Sequence, residues 1–114
     1  MRIEGPALLL RVFVGESDKW QGKNLYLAIV ELFRQRGLAG ATVLRGIEGF
    51  GAKQHRHTTR ILSLSLDLPI VIEAVDQEEK VRAILPDLDR MVGDGLIVVQ
   101  PVEVVTHRSD GAPE

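Results

Sequence analysis

No cysteine occurs in the 114 residues, so a disulfide framework and a thiolate zinc site are both excluded, and a reducing cytoplasm is the expected setting. Aromatic residues are scarce: three phenylalanines, one tyrosine and one tryptophan, too scattered to build a base-stacking platform. Excess charge is also missing. Fourteen Lys and Arg against sixteen Asp and Glu leave a net charge of −2, which argues against a general nucleic-acid-binding role. No run approaches the roughly eighteen apolar residues of a membrane span, and the opening Met1-Arg2-Ile3-Glu4-Gly5 lacks a signal-peptide pattern. The expectation is one cytoplasmic domain over residues 1–106 without membrane insertion, followed by a polar, disordered tail over 107–114. A chain this short buries about two-thirds of its unfolded surface, so association with further subunits would strengthen a small core.

What is present is an ordered set of strand and helix patterns. Residues 7–14 are apolar apart from Arg11, with Leu8, Leu10, Val12 and Val14 on one face and Leu9, Arg11 and Phe13 on the other, as in a central strand. The polar stretch 15–23 reads as a loop holding the only tryptophan. Residues 24–36 form a helix: Leu25, Ala28, Ile29, Leu32 and Phe33 make an apolar stripe, Asn24 is placed to cap it, Arg34 and Arg36 suit its C-terminus, and Gly37 ends it. Strands are expected over 41–47, 60–66 and 70–75. Asp76 and Glu79 fit a capping box for a second helix with the stripe Val81, Ile84, Leu85, Leu88 and Val92, kinked or split at Pro86. Gly93-Asp94-Gly95 ends that helix, and 96–105 is a last strand, bent or held at an edge by Pro101.

The order β-α-β-(β)-β-α-β predicts an α+β fold: a ferredoxin-like βαββαβ sandwich with an antiparallel sheet and two helices on one face. In such a sandwich one sheet face has no helix over it. Strands 7–14 and 70–75 are nevertheless apolar on both faces, so the second face calls for a cover, which symmetric association of subunits would supply.

The stretch 37–57 concentrates the features that point to chemistry. It joins a strand to Gly46, Gly49 and Gly51 and then to a basic cluster of Lys53, His55, Arg56 and His57. A phosphate-cradling P-loop needs lysine directly after the last glycine and a helix thereafter. Ala52 breaks that register, and a polar loop and strand follow instead. The plain reading is a glycine-rich bulge or hinge; the functional one places glycine amides against a phosphate, helped by Lys53 or Arg60. His55 and His57 project to one side of a strand and could bind a metal with a third ligand, His107 being the only other histidine; with no acidic residue near them in sequence, the plain reading is a solvated basic loop. Ser17-Asp18 lacks a histidine at any enforced position, so it is a turn rather than part of a triad. No nucleophile–base pair or carboxylate dyad is imposed by the spacing, so an enzyme is not expected.

Together, Gly15-Glu-Ser-Asp18, Leu25-Tyr-Leu-Ala-Ile-Val30, Gly37 through Gly51, Asp67-Leu-Pro-Ile-Val-Ile-Glu73, Leu85-Pro86 and Met91-Val92 resemble the PII-like proteins of domain of unknown function 190, over residues 5–106. More distantly the chain is similar to the PII nitrogen-signalling proteins. That resemblance implies a homotrimer that binds adenine nucleotides in clefts between subunits and contacts transporters, channels or enzymes through a long loop after the second strand. It puts Thr42 at the nucleotide cleft, Gly49-Phe50-Gly51 at the base of the regulatory loop, and Gly93-Asp94-Gly95 at the phosphates; with Arg108, these are the implied nucleotide-binding residues. The loop over 49–60, with Lys53, His55, Arg56, His57 and Arg60, becomes the partner-contacting arm.

The departures from the PII pattern bear on the ligand. Leu96 stands where PII has a lysine. His107 and Ser109 replace two arginines, with Arg108 out of register between them, and residues 52–59 hold no tyrosine to modify. With fewer cations, a less charged nucleotide than ATP or another small anion is expected. The alternative reading is a divalent-metal-binding trimer resembling the cation-tolerance proteins.

Overall fold

The computed structural model describes residues 2–51 and 67–109. The first strand, β1 (Arg2–Gly15), alternates as its side chains dictate: Leu8, Leu10, Val12 and Val14 are buried, while Leu9, Arg11 and Phe13 on the other face are only half-buried. A small hairpin, β2 (Lys19–Trp20) and β3 (Lys23–Asn24), occupies the stretch read as loop and leads directly into α1 (Leu25–Gln35). The chain continues through β4 (Thr42–Arg45), β5 (Pro69–Asp76), α2 (Glu78–Met91) and β6 (Leu96–Arg108). The four long strands form one sheet in the order β4-β5-β1-β6, and every neighbouring pair is antiparallel. This is the ferredoxin-like arrangement. The strand expected over 60–66 lies outside the described residues.

The core is a single layer between sheet and helices. Leu10, Val12, Ile70 and Ile72 from the sheet meet Leu25, Ile29 and Phe33 of α1 and Val81, Ile84 and Leu88 of α2. These helical residues are the stripes read from the sequence, and each fully buried one contributes about 1.5–3 kcal/mol. Both helices therefore lie on one face.

The end of α1 follows from Gly37, whose φ of +76° is open to glycine at little cost. Its N–H donates to the Arg34 carbonyl at 3.1 Å, and the Leu38 N–H donates to the Phe33 carbonyl at 3.1 Å. That pair of bonds is a Schellman stop, with Leu38 folded back on the core beside Phe33. Lys80 Nζ donates to the Gly37 carbonyl at 2.9 Å and Arg36 pairs with Asp87, so the same turn is fastened to α2.

Four sequence expectations are narrowed or corrected. Of a kink or a split at Pro86, the split does not occur: Glu78–Met91 is one helix with Pro86 inside. Ile84 and Leu88, on either side of it, are buried in the core, and that anchorage outweighs the lost hydrogen bond. Asp76 is not the N-cap. It is the last residue of β5, paired with Leu8, and Gln77 takes the cap position without a side-chain bond. Asn24 does precede α1, but its Oδ1 accepts from Lys19 Nζ at 2.7 Å and makes no capping bond. Finally, His107 and Arg108 are not tail: β1 begins at Arg2, which leaves Ile3 free to pair with His107 and Arg2 with Arg108. Pro101 sits as expected on an edge strand, opposite Leu8.

Candidate functional site

The glycine loops are best located from the sheet. Antiparallel pairing sets Gly15 opposite Pro69, Arg45 opposite Ile70, and Phe13 opposite Leu96. The loop following β4 and the loop preceding β6 therefore leave from the same end of the sheet. They leave from opposite edges, because β5 and β1 lie between β4 and β6. Three inter-strand spacings put the two edges about 14 Å apart.

At the β4 edge, Thr42 opens the strand opposite Glu73 and is exposed, as are Gly49, Phe50 and Gly51 beyond it. Ile47 and Phe50 are among the most exposed large apolar side chains, at 94% and 87%. The base of this loop is held firmly. The Gly46 N–H donates to the Pro69 carbonyl at 2.7 Å, and the Glu16 N–H donates to the Leu68 carbonyl at 2.9 Å. Ser17 gives both its N–H and its hydroxyl to Asp67 Oδ1, at 3.0 and 2.9 Å, and Arg45 pairs with Glu16.

Gly15-Glu-Ser-Asp18 is thus the clasp on the loop's two ends. Asp18 turns back on itself, its Oδ2 accepting the Gly15 N–H at 2.9 Å, as the turn reading required. Spacing could not reveal the clasp, since Ser17 and Asp67 are joined only by the fold. The sole sequence signal was that both segments carry the family resemblance.

At the β6 edge, Gly93, Asp94 and Gly95 are exposed between α2 and β6. The glycines there differ in kind. A β-carbon on Gly95 would stand 2.6 Å from the Phe13 carbonyl oxygen, so packing alone demands glycine. Among the described residues, Gly93 and, on the other edge, Gly51 meet nothing within 4 Å. Neither has a positive φ, so neither the described packing nor the backbone geometry requires glycine at these two positions.

Among the described residues, one chain does not bring the predicted site residues together. Arg108 lies at the far end of the 13-residue β6, about 40 Å from Gly95 at roughly 3.3 Å per residue. Lys53, His55, Arg56, His57 and Arg60 lie outside the described residues. Among the described residues there is no group of three or more His, Asp or Glu placed to hold a metal, and His107 stands opposite Ile3 in the sheet. An open groove along α2 and β6 is lined by Arg82, Leu85, Pro86, Asp89 and Ile97, none of them a residue of either glycine loop. No helix among the described residues is long and apolar enough to cross a membrane.

Comparison with known proteins decides the family. The family model of domain of unknown function 190, described as an uncharacterised ACR, matches residues 7–104. The chain belongs to this family. A UPF0166 protein of Aquifex aeolicus is 37% identical over 97 residues, covering 85% of this chain and 91% of that protein. A UPF0166 protein of Methanocaldococcus jannaschii is 35% identical over 99 residues, covering 86% and 91%.

Among solved structures, a PII-like signalling protein of Thermus thermophilus superposes with a TM-score of 0.63 at 21% identity, covering 89% of this chain and 91% of that one. The CPII protein of Thiomonas intermedia, bound to ADP, AMP and acetate, gives 0.61 at 19% identity over 88% and 89%. At these identities the likeness establishes the fold, which is that of the PII-like proteins.

Proposed function

We propose that this protein is a non-enzymatic PII-like regulator. In this reading it is a homotrimer that binds an adenine nucleotide between neighbouring copies and engages a partner protein, such as a transporter or channel, through the 49–60 loop. The observation that carries the reading is the placement of the two glycine loops. They leave the same end of the sheet from opposite edges, about 14 Å apart, so one chain cannot close both around a single phosphate group. Cyclic assembly sets the β4 edge of one copy beside the β6 edge of the next, and the two half-sites meet there. Gly51 and Gly93, which meet no other described residue, then have a use for their missing side chains: backbone amides can approach a phosphate directly.

The bound nucleotides of the structurally similar CPII protein are ADP and AMP. The same class suits this chain. Leu96 rather than a cation follows Gly95, so charge on a terminal phosphate goes less well compensated and AMP or ADP is favoured over ATP. The clasp of Gly46, Glu16 and Ser17 on Leu68, Pro69 and Asp67 holds the two ends of the loop as a fixed base. A nucleotide at Gly49–Gly51 regulates the arm by binding one loop state more tightly than another.

Isothermal titration with AMP, ADP, ATP and cyclic nucleotides tests the reading. Saturable binding of AMP or ADP at one site per chain is expected, with ATP weaker. Absence of binding by every nucleotide overturns it.

A further inference from the structure

The sheet face turned away from the helices carries an unfinished ion pair at its centre. Arg11 of β1 and Glu73 of β5 are directly opposed, and Arg11 Nε donates to Glu73 Oε2 at 2.7 Å. The side chains are 39% and 28% exposed. Around them Leu9, Phe13, Val71 and Val75 are half-buried apolar neighbours, and no helix among the described residues covers this face. Across the row, Thr42 lies beyond Glu73 and Val98 beyond Arg11, so no other charged side chain shares it. Among the described residues the pair makes only the one bond. The guanidinium's terminal Nη groups and the carboxylate's Oε1 remain unused.

An apolar surface with a bare charge at its centre is costly to cover unless the remaining donors and acceptors are met. The face contains its own solution. It is electrically neutral and offers one unused fork of donors and one unused acceptor, which are complementary to each other. A strongly acidic or basic partner would find no matching field, whereas a second copy brings the missing group on the same apolar background.

We propose that, where copies meet across this face, Arg11 donates through its Nη groups to Glu73 of the next copy while its Nε holds Glu73 of its own chain. Closed around a symmetry axis, the pairs form a ring of alternating charges that fixes how far each copy is rotated against the next. The apolar surroundings alone would permit slippage. The ring also tolerates no half-removal, because deleting one partner leaves a buried charge without its mate. This inference rests on the assembly reading above and adds its orienting contact.

The test is sedimentation equilibrium over a concentration series, with circular dichroism confirming the fold of each variant. Arg11→Lys keeps the charge and the bond within the chain but loses the planar fork. It is expected to raise the dissociation constant of the assembly by about tenfold, and Glu73→Gln by roughly a hundredfold. The exchange R11E/E73R restores most of the loss. If the wild type assembles and Arg11→Lys and Glu73→Gln, both folded, dissociate no more readily than it does, the ring is wrong and the assembly reading stands. If the exchange variant dissociates as readily as Glu73→Gln, the specific pairing is wrong. A wild-type protein that is monomeric throughout overturns the ring and the assembly together.

Discussion

The β-carbon position of Gly95 lies 2.6 Å from the carbonyl oxygen of Phe13, so the turn entering β6 is pressed against the backbone of β1. Gly93, at the other side of Asp94, faces open space. The two glycines of one short motif are there for different reasons, and substitution separates them. Gly95→Ala must push Val92 or the strand aside and is expected to cost about 1–3 kcal/mol in urea unfolding. Gly93→Ala is expected to change stability by less than about 1 kcal/mol and yet weaken AMP and ADP in titration, because the added methyl stands where the backbone would approach phosphate. Unchanged nucleotide affinity in a folded Gly93→Ala protein would remove Gly93 from the site.

Asp76 is 1% exposed, and its carboxylate accepts the Ala39 N–H at 2.8 Å and the Gln77 N–H at 2.7 Å. It thereby ties the approach to β4 to the start of α2. Asp76→Ala leaves two donors without an acceptor, each costing about 1–3 kcal/mol when buried. A loss of about 2–4 kcal/mol is expected by chemical denaturation, with Asp76→Asn between the two because its amide still offers one acceptor oxygen. A loss below about 1 kcal/mol in Asp76→Ala would show that water replaces the carboxylate.

Pro86 sits within α2, where the Arg82 carbonyl cannot receive the usual bond from an N–H four residues on. Proline is about 3 kcal/mol worse than alanine in a helix interior. Ile84 and Leu88 hold the helix in place, so part of that strain is carried by the native state. Pro86→Ala is expected to stabilise the protein by about 1–2 kcal/mol in thermal or urea unfolding. A destabilised variant would mean that the ring's packing at the mouth of the groove beside Leu85 and Ile97 outweighs the backbone effect.

Legibility in the sequence followed how local each cause is. The stripe Leu25, Ile29 and Phe33 and the stop at Gly37 depend on contacts within one helix, and both were readable. The double-sided apolarity of β1 likewise marked it as a central strand. Three features depended on partners far along the chain. The outer ends of β1 and β6 support each other, so the two strands read as starting at residue 7 and ending at residue 105 when each is taken alone. Asp76 resembled a cap from its spacing to Glu79, but its carboxylate accepts from Ala39, on another segment. The clasp between Ser17 and Asp67 spans 50 positions. The candidate site was legible as motifs but not as geometry, since only the sheet order reveals that its glycine loops occupy opposite edges.

Leu96 offers a gain-of-function test of the nucleotide reading. It directly follows Gly95, is 53% exposed, and stands opposite Phe13 at the start of β6. Leu96→Lys places an ammonium group beside the Gly93–Gly95 turn, where the resemblance to PII proteins puts phosphate. A new cation near a multiply charged anion strengthens binding in proportion to the charge it meets. ATP is therefore expected to gain about tenfold in affinity, ADP less and AMP least, so that the preference for short phosphate chains narrows or reverses. Light scattering run alongside must show an unchanged subunit number, because Leu96 also lies on the sheet face proposed to join copies. An assembled Leu96→Lys protein with the wild-type order of affinities would show that nucleotide phosphates do not reach the Gly93–Gly95 turn.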